Sequence, residues 1–244
     1  MKKIFVMVVL VCLYSFVGCA TISDYKVQMF EQQTGKTADI HGLASAGVGM
    51  LVVDFFLQTT IHEGSHALMS IANGYEIVGF YPYPTFSKEM GFSFGYYESF
   101  IFETQSPKTM ALIKITPKIV DVGMLSSYAL LEEFDVLPNN QYAQLAIWTV
   151  AFGAWVDLAR DFCSGICYKG GVNNDLKKFE ESMGYTSPWE KFAVRGTIVL
   201  LASLSAYPLY NGLRKVIDPA MTKNLDMIDG LTVGPGMIGY RLEF

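Results

Sequence analysis

Four long stretches of apolar residues limit what this chain can fold into more than any other feature of the sequence. They cover residues 43–72, 109–131, 141–166 and 192–213. Each is long enough for a helix that crosses a bilayer, which needs about 20 residues at a rise of about 1.5 Å per residue. We therefore predict a mainly α fold, a small bundle of about four transmembrane helices. The alternative is a soluble domain whose core helices are apolar on all sides.

Charged residues are scarce, and some of them lie inside the apolar stretches. They make up 17% of the 244 residues, against 51% hydrophobic residues, and the net charge is −5. The hydrophobic content excludes a disordered chain, and without a basic cluster we expect no nucleic-acid partner. A charged side chain at the centre of a bilayer costs about 2.5–3.5 kcal/mol. We therefore expect the embedded charges to face the interior of the bundle and to have a function there.

The chain begins with the features of an export signal. Lys2 and Lys3 precede an uncharged, mostly apolar run at 4–17, and Gly18 and Cys19 follow it. This pattern resembles a bacterial lipoprotein signal, in which the cysteine is lipidated and becomes the new N-terminus. The resemblance implies lipidation of Cys19 and a location in the membrane of the bacterial cell envelope. An ordinary signal peptide and an uncleaved anchor are the alternatives.

Composition divides the chain into a signal peptide, a polar linker, a helical domain with a β-rich aromatic insert, and a C-terminal tail. The predicted boundaries are 1–19, 20–42, 43–217 with the insert at 73–108, and 218–244. Alternating side chains in the insert predict a β-hairpin. Its aromatic residues suit either an edge strand that binds an extended peptide or an aromatic belt at a membrane interface.

The motif His-Glu-Gly-Ser-His at residues 62–66 indicates a metal site. On a helix, positions i and i+4 share a face, so His62 and His66 can present two imidazoles to one metal ion. Nitrogen ligands at about 2.0–2.1 Å suit Zn²⁺, which lowers the pKa of a bound water molecule to about 7. Glu63 can then accept the proton of that water. Gly64 and Ser65 are small and leave room for a substrate.

A HExxH motif on an apolar helix resembles the site-two-protease type of intramembrane zinc metalloprotease. In that family the HExxH helix supplies two histidine ligands and the base, and an aspartate on a later helix is the third ligand. The resemblance implies that His62 and His66 bind zinc and that Glu63 is the catalytic base. The Asp-Gly signature that carries the third ligand in that family is missing from the later apolar helices of this chain.

The third zinc ligand is therefore sought among the carboxylates of the apolar stretches. Asp157 is the first choice, because small residues beside it would permit a close approach. Asp161, one turn later, is an alternate ligand or a carboxylate that orients a histidine. Asp121 is the third candidate, although an ion pair with a lysine of its own helix would explain it equally well. Asp54, two turns before His62, could orient a ligand or lie as a polar residue at the rim.

These residues predict a membrane-associated zinc metallopeptidase that hydrolyses a peptide bond. Its expected partners are membrane lipid and a peptide or membrane-protein substrate. The alternative is a non-catalytic, lipid-anchored envelope protein in which the HExxH helix is a structural metal site or a relic. A third possibility keeps the zinc chemistry but cleaves an amide of a lipid or of the cell wall.

Overall fold

Five helices build most of the protein. The computed structural model describes residues 38–87, 91–100, 106–167, 174–226, 231–234 and 237–240. The helices are α1 (Ile40–Ala72), α2 (Pro107–Glu133), α3 (Gln141–Cys167), α4 (Asp175–Ser182) and α5 (Pro188–Asp226). The mainly α fold is confirmed, while the signal peptide, Cys19 and most of the polar linker lie outside the described residues.

Short antiparallel strand pairs lie between α1 and α2 and near the end of the chain. Strand β1 (Ile77–Tyr81) pairs with β4 (Tyr96–Ser99), and β2 (Thr85–Ser87) pairs with β3 (Gly91–Ser93). A further pair joins β5 (Leu231–Gly234) to β6 (Met237–Tyr240). The first two pairs confirm the predicted β-rich insert. The insert begins after Gly74, whose φ of 83° lies in the left-handed region that favours glycine and ends α1.

The core lies where α2, α3 and α5 meet. Its buried apolar residues are Val120, Met124, Leu125, Tyr128, Ala151, Ala154, Leu158, Leu176, Ile198, Ala202 and Leu209. A smaller cluster joins Leu43 at the start of α1, Leu145 in α3 and Val216 in α5. Leu43 packs in one cluster with Val216, so the first turns of α1 lie beside the later part of α5. Ile61, further along α1, packs against the main core.

The structure corrects the expected number of membrane spans. Among the described residues, two helices rather than about four are long and apolar enough to cross a bilayer: Ile40–Ala72, and Pro188–Pro219 within α5. Little of either apolar stretch is buried, so much of their apolar surface faces outward. Both helices are compatible with membrane association.

Helices α2 and α3 differ from this pair because their polar residues interrupt the apolar sequence. Lys114, Lys118 and Asp121 lie in the middle of α2, and Asp157 and Arg160 lie in the second half of α3. The apolar residues of α2 and α3 contribute heavily to the protein core. Their hydrophobicity therefore reflects burial within the bundle, and hydropathy alone does not separate burial in protein from burial in lipid.

Gly153 allows α1 and α3 to approach closely. A Cβ atom at this position would collide with the carboxylate of Asp54 and would lie 2.7 Å from Cγ of Gln58. Gln58 also donates a 2.8 Å hydrogen bond from Nε2 to the carbonyl oxygen of Val150. The contact between these two helices therefore depends on the missing side chain at position 153.

Replacing Gly153 by alanine should destabilise the bundle by about 1–3 kcal/mol, the usual effect of forcing extra volume into a packed contact. The measurement is thermal unfolding in detergent, followed by circular dichroism. The matched control is Gly123→Ala in α2, where a Cβ would meet no atom within 4 Å. Because alanine is the better helix former, that control should be neutral or stabilising by up to about 1 kcal/mol. Equal losses in both variants would contradict the proposed role of Gly153.

Candidate metal centre

The two histidines of the HExxH motif face the same side of α1, as predicted. Their ring centroids lie 5.0 Å apart, and both residues are buried, with exposed fractions of 9% for His62 and 2% for His66. Both Nε2 atoms point at one carboxylate oxygen, Oδ2 of Asp175, and each lies 3.0 Å from it. Two imidazoles and a carboxylate from distant parts of the chain thus converge on one point.

Asp175 occupies the position that we expected Asp157 to fill. It is the first residue of α4, which begins where the side chain of Asn174 accepts a 2.9 Å hydrogen bond from the backbone N–H of Lys177. Asp175 lies outside the apolar stretches, among whose carboxylates we expected the third ligand. Asn174 and Asp175 form a typical helix start, but that local signal does not indicate which residues the side chain of Asp175 meets.

Buried contacts of α4 fix the position of Asp175. Leu176 packs into the main core, and Glu180 is buried with an exposed fraction of 2%. The carboxylate of Glu180 accepts hydrogen bonds of 2.8 and 2.9 Å from Nε and Nη2 of Arg195 in α5. Such a bidentate pair restricts both distance and orientation, so α5 holds the short helix in place.

The electrostatics of the site keep Asp175 ionised. Burial alone would raise the pKa of its carboxyl group. The hydrogen bonds from His62 and His66 and the nearby ammonium group of Lys114 outweigh burial and hold the pKa below its usual range. An ionised carboxylate is the form that binds a metal ion.

The side chains of His62, His66 and Asp175 form a candidate metal site. Its three ligand atoms all lie within 4.8 Å of one another, so the group could hold one ion. Ligand atoms at about 2.0–2.2 Å from a tetrahedral zinc ion are about 3.3–3.6 Å apart, somewhat longer than the observed nitrogen–oxygen separations of 3.0 Å. Two imidazoles with one carboxylate form a donor set typical of catalytic zinc sites, which leave the fourth position open.

The remaining nitrogen of each imidazole has its own partner. Nδ1 of His62 lies 2.7 Å from Oδ2 of Asp157, and Nδ1 of His66 lies 2.7 Å from the carbonyl oxygen of Ile113. A metal ion would take the place of the protons through which Nε2 of His62 and His66 contact Asp175, and with Nδ1 donating in both rings each Nε2 would offer a lone pair to the metal. Asp157 therefore contacts the side of His62 that faces away from Asp175, where it orients the ring.

A network of charges surrounds Asp157. Lys118 donates to its Oδ2 at 2.9 Å and to its backbone oxygen at 2.6 Å, and Arg160 lies 3.5 Å from Oδ1. Lys118 also lies 3.6 Å from Asp121, which is the ion pair that we weighed against a ligand role for Asp121. Opposite charges thus accompany these buried carboxylates, as burial requires.

Of the two remaining candidates, Asp54 lies away from the metal position. Asp54 is buried, but it accepts a 3.2 Å hydrogen bond from Gln58 and packs against Gly153, so it belongs to the contact between α1 and α3. The backbone of Asp161 continues α3, and its side chain lies outside the part that the structure describes.

Glu63 lies on α1 beneath the β-rich insert. It follows His62 in the chain, and its charge interacts with those of His62, His66 and Asp175. A Cβ at Gly95, between β3 and β4, would lie 3.2 Å from Cγ of Glu63. Tyr97 of β4 stacks on His66 with ring centroids 5.3 Å apart. The insert therefore covers the helix that carries the motif.

Comparisons with known proteins yield no relatives: no family model matches the chain, and no curated protein or solved structure matches it significantly.

Proposed function

We propose that this protein is a membrane-associated, zinc-dependent metallopeptidase that hydrolyses a peptide bond. The observation that carries the proposal is the convergence of His62, His66 and Asp175, with Glu63 beside them. A structural zinc site usually closes with four protein ligands. The described residues supply three, and this favours a catalytic site over the structural alternative.

His62, His66 and Asp175 would hold the zinc ion, and Asp157 would keep the ring of His62 in its binding orientation. A bound zinc ion acidifies water and polarises a carbonyl group. Glu63 takes a proton from the water molecule that attacks the carbonyl carbon of the substrate. It then passes this proton to the amide nitrogen, and the C–N bond breaks. Because the ligand side chains are at most 13% exposed, the charges of the reaction develop where water screens them little.

The outward apolar surfaces of α1 and α5 support a membrane location for this reaction. Exposed aromatic residues lie at two levels of α5: Trp189 and Phe192 near its start, and Tyr207 and Tyr210 later. The two levels are 18 residues, or about 27 Å, apart along the helix axis, close to the thickness of a hydrocarbon core, about 30 Å. Aromatic side chains favour the two membrane interfaces. We therefore propose a membrane-protein or membrane-bound peptide substrate, in the envelope of a bacterial cell.

Metal removal tests this function. The protein, purified in detergent, should carry about one zinc ion per chain at a site with this donor set. It should cleave fluorescently labelled casein or a quenched fluorogenic peptide library. Removing the metal with 1,10-phenanthroline should abolish cleavage, and one equivalent of zinc should restore it. Cleavage that survives complete metal removal, or bound zinc without cleavage of any of these substrates, would contradict the proposal.

A further inference from the structure

A second cation, with most of its side chain covered, lies beside the candidate metal centre. Lys114 of α2 places Nζ 3.7 Å from Oδ1 of Asp175 and 5.6 Å from the centre of the Tyr97 ring. Its side chain is only 16% exposed. Its neighbour in the chain, Ile113, provides the carbonyl oxygen that holds His66. Lys114 therefore lies beside the metal position, on the side where Tyr97 stacks on His66.

The metal site does not need this lysine. A positive charge near a dication weakens metal binding by repulsion, and zinc would itself neutralise the charge of Asp175. The other buried carboxylates near the site have their own cation, because Lys118 contacts both Asp157 and Asp121. With zinc bound, Asp175 would neutralise less of the charge of Lys114, and among the described residues Glu63 also interacts with that charge. Burying such a charge is unfavourable unless an anion pairs with it.

Peptide hydrolysis at this site would produce a negatively charged oxygen atom on the substrate. When water adds to the carbonyl carbon, a C–O bond forms and the electron pair of the C=O π bond moves to the carbonyl oxygen. The proton of the water goes to Glu63, whose charge also interacts with Lys114. The carbonyl oxygen is then negative until its electron pair reforms the double bond and the C–N bond breaks.

We propose that Lys114 is a catalytic residue that binds the carbonyl oxygen of the substrate as its negative charge develops. The ammonium group donates a hydrogen bond and transfers no proton, so the lysine ends the reaction as it began. A donor that contacts the anion more strongly than the neutral carbonyl lowers the barrier without tightening substrate binding. This role rests on the proposed peptidase function.

The test compares Lys114→Met with Lys108→Met, an exposed lysine in the first turn of the same helix. Lys114→Met should lower kcat by about 10²–10³-fold, the usual effect of removing one oxyanion donor, with KM within a few-fold. Lys108→Met should match the wild type. Zinc affinity, measured by competition with a fluorescent chelator, should stay the same or rise in Lys114→Met, because a repelling charge is gone.

Binding of N-phosphoryl-leucinamide, whose phosphoryl group carries negative charge like the reacting carbonyl, provides a readout that does not depend on turnover. Its affinity for the zinc-loaded protein should fall in Lys114→Met by a factor similar to the fall in kcat. Lys114→Arg keeps the charge, so both its kcat and its probe affinity should exceed those of Lys114→Met by tenfold or more. The proposal would be overturned if Lys114→Arg lost as much kcat as Lys114→Met, or if the kcat of Lys114→Met stayed within threefold of the wild type. It would also be overturned if Lys114→Met lost kcat only because it lost its zinc. If the wild-type protein shows no zinc-dependent cleavage, the proposed function itself fails instead.

Discussion

Replacing Asp175 by alanine should remove the metal from the protein and abolish its hydrolytic activity. The Oδ2 atom of Asp175 lies 3.0 Å from Nε2 of both His62 and His66. Without it, two neutral imidazoles would have to hold a dication unaided. We expect zinc affinity to fall well beyond the about 10–100-fold that is typical of losing a partner that only orients a ligand. The measurement is zinc affinity by chelator competition, with zinc content per chain after gel filtration.

The matched control for this variant is Asp157→Asn. An asparagine keeps an acceptor oxygen near Nδ1 of His62 but loses the charge that faces Lys118. Because Asp157 orients a ligand and does not bind the metal in this arrangement, its replacement should weaken zinc binding by about 10–100-fold and leave the site able to fill at high zinc concentration. The opposite ranking, with Asp157→Asn losing the metal and Asp175→Ala retaining it, would restore the assignment that the sequence favoured.

The sequence was sufficient to predict the histidine pair and its helix, because that prediction needs only local geometry. An i, i+4 spacing puts two side chains on one face of any helix, whatever the rest of the chain does. The β-rich insert was likewise predicted from local alternation. Asp175 could not be found in this way, because tertiary packing and not local sequence brings it to His62 and His66. Leu176 and Glu180 anchor its short polar helix through residues far along the chain.

The number of membrane spans shows a second limit of local patterns. Helices α2 and α3 are apolar because they pack in the interior of the protein, and α1 and α5 are apolar on surfaces that point outward. All four stretches are rich in apolar residues, since both environments exclude charged side chains that lack partners. The buried ion pair of Lys118 with Asp157 gives α2 and α3 polar residues that lipid would not accept without such partners.

Replacing Glu63 by glutamine should abolish hydrolysis while the protein keeps its metal. Glutamine has nearly the shape of glutamate, but its amide cannot take a proton from water or return it to the leaving nitrogen. General acid–base catalysis contributes about 10²–10⁴-fold to a rate, and Glu63 is proposed to serve in both proton transfers. We therefore expect kcat to fall by at least about 10³-fold. The measurement is cleavage of the same labelled substrates, with zinc content determined on the same samples.

The control for this variant is Glu76→Gln, an exposed glutamate just beyond the end of α1, which should retain the activity of the wild type. Zinc affinity of Glu63→Gln should stay near the wild-type value, because the ligand atoms belong to His62, His66 and Asp175. Measuring activity and zinc affinity together separates the role of Glu63 from those of the ligands. Loss of the base removes activity and leaves the metal bound, whereas loss of a ligand removes both. If Glu63→Gln remains active, the base lies elsewhere and the proposed mechanism is wrong. If Glu63→Gln loses zinc together with activity, Glu63 binds the metal and the assignment of three ligands is wrong.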